Sequence, residues 1–384
     1  MPATKFRNIL YRLALPFLAP GPGRDPILLR KGEPLRTEST FVRLIRRHHV
    51  LGSAVVIAAS GKNALILTGS ETPRHIPAED TYFRVASITK MAVALGALRL
   101  EEEGKWSLDA PLARALPPAA ACPELKGVTL RHLLSHTSGL NDPPDYEALM
   151  QRDIPFPEVL PGLRFAPPGE SFRYSNLGFG LIGCAMEAVT GLPVSEALRR
   201  LIFVPLGLRA ALDPTTIPEE RIMPVTRILP WRKEDLRITA LGRKPLLSPD
   251  PLRHYGHTAG SLYIDVLSLY ALLRCLMDGG KPVLRGDRSL EMIQEHASYN
   301  ALSPGLSYGL GMLIIRDPAL SDHRILGHQG FAYGCADGAF WEEDTGNIMI
   351  MVNGGASEAR DGRLGLLNSD MLRWAFRKEL PQWQ

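Results

Sequence analysis

The chain has 384 residues, 45% hydrophobic and 22% charged, with a formal net charge of +4. That is ordinary globular composition, long enough for one large domain or two. A charge this small, with no block of one sign, argues against a nucleic-acid-binding face, and no apolar run is long enough to span a bilayer.

The opening MPATKFRNILYRLALPFLAPGPGRD places Lys5 and Arg7 before an apolar stretch, as a signal peptide does. Arg12 and Pro16 interrupt that stretch, and no small-residue cleavage site follows. The expected location is cytoplasmic, with export as the alternative if this leader acts as a signal. Residues 1–38 read as a leader, and the Pro-, Gly- and Arg-rich part from 20 to 36 as a linker or extended arm. A helix is expected over 39–49, then a hairpin in SAVVIAASGKNALILTG around Gly61, Lys62 and Asn63. The next helix runs from 87 to 103 and is closed by Gly104.

Residues 105–299 read as helical and loop-rich. TLRHLLSHTSGL is helical up to Ser135, NLGFGLIGCAMEAVTG is a buried helix, and VSEALRRLIFVPLG is an amphipathic one. Residues 212–256 form a long irregular excursion, followed by a helix in GSLYIDVLSLYALLRCLMDGG. Strands return in YGLGMLIIR, HRILGHQGF, GCADGAFWEE and NIMIMVNGG, and GLLNSDMLRWAFRKEL closes the chain as a helix. Strands at both ends with helices between predict an α+β fold. Its mixed, mainly antiparallel sheet draws on 39–104 and 300–384, with an inserted helical part over 105–299. The four scattered cysteines, Cys122, Cys184, Cys275 and Cys335, read as buried thiols rather than disulfides or metal ligands.

Three short stretches carry chemistry. In FRVASITKMAVALGALRLEEEGKW, Lys90 follows Ser87 by three residues at the start of an apolar helix, and no other serine has a lysine at that spacing. Residues i and i+3 share a helix face, so the amine reaches the hydroxyl. Apolar surroundings lower a lysine pKa towards neutrality, and the helix N-terminus offers N–H donors to an oxyanion. The competing reading is a lysine that snorkels to water.

In RYSNLGFG, Tyr174 and Asn176 stand before a glycine-rich helix. A phenol beside a cationic lysine is expected to have a lowered pKa and to shuttle protons; an amide can hold lysine and substrate together. A simple helix cap at Asn176 is the plainer alternative. In the third stretch, His328-Gln329-Gly330 ends a strand, with Gly330 letting a substrate approach the backbone. A similar His254-Tyr255-Gly256 lies in the irregular excursion.

In this order SITK, YSN and HQG resemble the signature motifs of the serine β-lactamase and penicillin-binding-protein superfamily. The similarity is greatest to the class C-like branch, with its family VIII esterases and D-stereospecific peptidases. It extends through TLRHLLSHTSGL, PPGESFRYSNLGFGLIG, FVPLGL, YGLGM and MVNGG, over residues 40–375. The resemblance implies Ser87 as acylated nucleophile, Lys90 as its base partner and Tyr174 as general acid or base. It also implies Asn176 as a contact to substrate amide and Lys90, and the N–H groups of Ser87 and Phe331 as oxyanion donors. His328 stands where class C enzymes have a lysine, as in His-x-Gly esterases and aminopeptidases of the branch. Losing that fixed charge counts against efficient β-lactam hydrolysis.

The expected activity is therefore a serine hydrolase of peptidase or esterase type, acting on a small-molecule or peptide-like substrate without metal or organic cofactor. The alternatives are a β-lactamase with a class C-like mechanism and a non-catalytic penicillin-recognising sensor.

Overall fold

The computed structural model describes residues 27–377 except 72–73, 145, 147–152, 227–234, 237–244, 287, 300–304 and 333, with residues 9–10, 13–15 and 17 of the leader. Most of the leader and part of the 212–256 excursion thus lie outside the described residues.

The strands of the main sheet come from the two ends of the chain, where β-branched and aliphatic residues concentrate. The N-terminal set is β1 (Ile27–Gly32), β2 (Ser53–Ala59) and β3 (Lys62–Glu71). The C-terminal set is β4 (Ala297–Ser298), β5 (Leu306–Tyr308), β6 (Leu313–Ile315), β7 (Ile325–Ala332), β8 (Cys335–Glu342) and β9 (Ile348–Asn353). Pairing of β9 with β2, from Ile348↔Ala58 to Asn353↔Ser53, joins the two sets. The sheet order is β1-β3-β2-β9-β8-β7-β6-β5-β4, with Arg74–His75 added beside β3, and these pairings are antiparallel.

The main helices are α1 (Glu38–Arg47), α2 (Thr89–Glu102), α3 (Asn176–Thr190), α4 (Val266–Met277) and α5 (Leu366–Phe376). Strand periodicity decides which helix meets which face. Val55 and Ile57 of β2, with Met349 and Met351 of β9, pack under α1 and α5 against Phe41, Ile45, Met371 and Trp374. Their neighbours Ala54, Val56, Ile348, Ile350 and Val352 point the other way, into the larger core with α2, α3 and α4. A sheet covered on both faces needs no polar alternation, which explains the unbroken SAVVIAA and IMIMV runs. Helix α2 is apolar all round because it is buried all round, from Thr89 to Leu98 and again at Leu100.

Three expectations change. Part of the predicted linker or extended arm is edge strand β1, an arm fixed to the sheet by pairing with β3 from Ile27↔Gly69 to Gly32↔Ala64; its backbone hydrogen bonds outweigh a composition typical of loops. The single strand expected in YGLGMLIIR is two, β5 and β6, because Gly309–Gly311 turn the chain back on itself. Helix α4 lies within the predicted helical part yet packs on β2, β8 and β9. The four cysteines are buried and free, as expected. Among the described residues no single helix is long and apolar enough to cross a membrane.

Candidate active site

The short strand Phe83–Arg84 pairs with Tyr263–Ile264, and Val85 N continues the contact to Leu262 O at 3.0 Å. The chain then turns sharply at Ala86, whose φ of 45° is unusual for a residue with a Cβ. Ala86–Ile88 make one tight helical turn that runs directly into α2. Thr89 secures the junction: its Oγ1 donates to Ala86 O at 2.6 Å and accepts from Leu262 N at 3.0 Å. Ser87 is left half-buried at the start of the helix, while Lys90, one turn on, is 0% exposed.

Lys90 does not snorkel. Its Nζ lies 3.1 Å from Ser87 Oγ, 3.0 Å from Asn176 Oδ1 and 2.5 Å from Ala259 O. The Tyr174 and Phe179 rings flank it, with centroids 4.9 and 5.3 Å away. Burial lowers its pKa from 10.5 to about 7, with the Asp142 carboxylate acting in the opposite direction.

Delivery of Ala259 to this point depends on the glycines of α3. A Cβ on Gly180 would sit 1.6 Å from Tyr255 O, so only glycine lets the 255–259 segment lie on the helix. Thr258 Oγ1 donates to Phe179 O at 2.6 Å and pins the same segment. The competing His254-Tyr255-Gly256 stretch is an anchor: His254 Nδ1 meets the buried Glu187 carboxylate at 2.8 Å, and that carboxylate also accepts from Val194 N and Asp250 N.

Tyr174 OH donates to Ser87 Oγ at 2.8 Å. Its pKa differs from expectation. Burial raises it well above the ordinary phenol value, outweighing the hydrogen bond to Ser87 and the Arg360 charge, which lower it. Burial thus favours the protonated phenol, which donates to Ser87 Oγ.

His328 also differs from expectation. It is 3% exposed, and its Nδ1 faces Gln329 O at 2.6 Å, a carbonyl that can only accept. Nδ1 thus carries the proton and Nε2 accepts from Tyr308 OH at 2.9 Å. Burial, then the Lys90 charge, lowers its pKa to about 3. The ring is a fixed neutral tautomer and not a partly charged substitute for lysine.

Gly330 is needed for the close approach of β7 to the segment before Ser87. A Cβ there would fall 2.3 Å from Val85 O. On that side β7 pairs with β6 only as far as Gly327, and its remaining edge lies against the Ala86–Ile88 turn. Phe331, next along that edge, is half-buried with the Arg360 guanidinium 4.2 Å over its ring. Gln329 ties the short Arg360–Gly365 hairpin to β7: its Nε2 donates to Arg363 O at 2.6 Å and its Oε1 accepts from Gly365 N at 3.0 Å.

The fold therefore brings Ser87, Lys90, Tyr174 and Asn176 into one hydrogen-bonded group, with His328 behind it and Gly330 beside the Ser87 turn. Sequence reasoning missed three neighbours. Asp142 accepts from Ser175 Oγ, Asn176 N, Asn176 Nδ2 and Leu177 N. His136, at φ 59°, accepts from Ser175 N at 3.1 Å and stacks 4.2 Å from the Tyr174 ring. Tyr308 OH donates to His328 Nε2, the nitrogen that the Gln329 O contact leaves unprotonated. The available signal was the Ser- and Gly-containing turn SHTSGLND, which places two of them before α3.

The family model for beta-lactamase matches residues 37–367. The chain is 34% identical to esterase EstB of Burkholderia gladioli over 216 residues, 49% of this chain and 54% of that one. It is 28% identical to penicillin-binding protein 4* of Bacillus subtilis (strain 168) over 212 residues, 51% of this chain and 44% of that one. The chain spans about half the length of these curated relatives. Among solved structures it is similar in fold to EstCE1, a hydrolase with promiscuous acyltransferase activity, with a TM-score of 0.68 at 24% identity over 88% of this chain and 97% of that one. The chain belongs to the beta-lactamase family.

Proposed function

We propose that this protein is a serine hydrolase that cleaves an ester or amide bond through an acyl-Ser87 intermediate. The supporting observation is the position of Ser87 Oγ, between Lys90 Nζ at 3.1 Å and Tyr174 OH at 2.8 Å. A lysine with a pKa of about 7 has a large neutral fraction at physiological pH and can take the serine proton. Oγ then attacks the substrate carbonyl, and the oxyanion is received by the N–H groups of Ser87 and Phe331. As the tetrahedral intermediate collapses, its bond to the leaving group breaks and the Lys90–Tyr174 pair returns the proton to that group. Water attacks the acyl-enzyme with Lys90 again as base, because Tyr174 holds its proton. Asn176 retains one Nδ2 hydrogen for a substrate carbonyl.

The substrate is a small-molecule or peptide-like ester or amide, of esterase or peptidase type. A neutral His328 supports this over a β-lactam, since it provides no fixed cation for a carboxylate. Intact-mass measurement after fluorophosphonate treatment tests the nucleophile: one adduct on the wild type and none on Ser87→Ala. An equal adduct on both, or none on the wild type, refutes the assignment. Turnover of a chromogenic cephalosporin far above p-nitrophenyl esters and D-amino-acid amides would overturn the substrate ranking.

A further inference from the structure

We infer that Asp142 is a positioning residue for acyl transfer, holding the Asn176 amide in the one orientation that leaves the Lys90 lone pair facing Ser87. The inference rests on the acyl-Ser87 reading above.

Asp142 lies in the loop after the Leu130–Leu134 helix, ahead of α3. Its Oδ1 accepts from Ser175 Oγ and Leu177 N, both at 2.9 Å. Its Oδ2 accepts from Asn176 N at 2.9 Å and from Asn176 Nδ2 at 3.0 Å. The backbone N–H contacts are those of an acidic group at a helix start, and on their own they explain only a stable α3. The contact to Nδ2 does more. It turns Asn176 Oδ1 towards Lys90 Nζ, 3.0 Å away. A flipped amide would set its oxygen against the Asp142 carboxylate, so the ionised carboxylate excludes that orientation.

The consequence follows from counting hydrogens on Lys90. Ala259 O at 2.5 Å and Asn176 Oδ1 at 3.0 Å are acceptors with no hydrogen to give. A neutral amine has two hydrogens and one lone pair. Both hydrogens go to these two oxygens, and the lone pair is left for the Ser87 hydroxyl at 3.1 Å. With the amide flipped, Nδ2 would compete for the lone pair and an N–H would face Ser87 instead. Asp142 thus acts on the base through Asn176, without touching the reacting atoms.

Few other charges face Lys90. Asp142 is the carboxylate that favours the ammonium. His136 and His328, from two other segments, are kept neutral by burial, and Tyr174 is kept protonated. The Phe179 ring contributes only its face, and Arg360 acts on Tyr174. The acid limb of the rate profile therefore belongs to Lys90, with Asp142 as the charge that shifts it.

The test is the rate of fluorophosphonate labelling at Ser87, by intact mass from pH 5 to 9, for the wild type, Asp142→Asn, Asp142→Glu, Asn176→Ala and the Asp142→Asn/Asn176→Ala double variant. Labelling forms an Oγ–P bond and releases fluoride. Asp142→Asn should lower the plateau rate about 10- to 100-fold, the range for losing one charge-assisted hydrogen bond. Its acid limb should move to lower pH, because removing the carboxylate disfavours the ammonium. The double variant should label no more slowly than Asn176→Ala alone. Asp142→Glu, which keeps the charge but not the 3.0 Å geometry, should lose rate with its limb in place. It carries the test if Asp142→Asn does not fold. A wild-type rate in Asp142→Glu, an unmoved limb in Asp142→Asn, or additive losses in the double variant would overturn the inference. No adduct on the wild type would instead overturn the hydrolase reading.

Discussion

Replacing Lys90 by methionine removes a proton-binding site but keeps an unbranched chain, and its effect on stability should depend on pH. In the folded protein Lys90 titrates near 7, against 10.5 for the ordinary group. Between those values the unfolded chain holds a proton that the folded one has released, so wild-type stability rises with pH. Below about pH 7 both forms are protonated, and the folded protein bears the full cost of a buried ammonium. At about 1.4 kcal/mol per pH unit, less the rounding near the folded pKa, the gain from pH 7 to pH 9 is about 2 kcal/mol. The Lys90→Met protein lacks this contribution. Urea unfolding of both proteins at the two pH values, followed by tryptophan fluorescence, measures the difference. The wild type should improve relative to the variant by about 2 kcal/mol at pH 9. An equal gap at both values refutes the burial reasoning, because it would mean that Lys90 keeps an ordinary pKa. Loss of the base should also lower kcat/KM by about 100-fold or more.

Two further outcomes follow from the site. His328 is neutral when folded, with a pKa of about 3 against 6.5 in the ordinary group; its share of stability is present above 6.5 and lost as pH falls towards 3. His328→Gln should flatten that acid loss and leave the kcat/KM profile with one acid limb near pH 7. Disappearance of a second limb near 6.5 in the variant would show that the imidazole titrates in the active protein. Gly330→Ala places a Cβ 2.3 Å from Val85 O and should push β7 from the Ser87 turn. About 1–3 kcal/mol of stability and at least tenfold in kcat/KM should be lost. Wild-type activity and melting temperature in Gly330→Ala would show that the strand adjusts without disturbing the site.

Much of this protein was legible locally. The Ser87–Lys90 contact is within one helical turn, so i,i+3 geometry brings the two together whatever the rest of the chain does. The β2 and β9 runs announced strands, although their alternation was masked by helices on both faces. Edge strand β1 was not visible, because an edge needs only one partner and ILLRKG carries no strong pattern of its own.

What the tertiary structure decided is the chemical state of those residues. Lys90 becomes a base because segments 86 and 169 residues away, at Asn176 and Ala259, close over it and exclude water. Tyr174 keeps its proton because the same burial outweighs neighbouring charge, and His328 stays neutral because burial and the Lys90 charge outweigh the Gln329 O hydrogen bond, which favours the cation. Sequence spacing sets which groups meet within a turn. Desolvation and long-range hydrogen bonding set their pKa values, and those exist only once the two ends of the chain share one sheet.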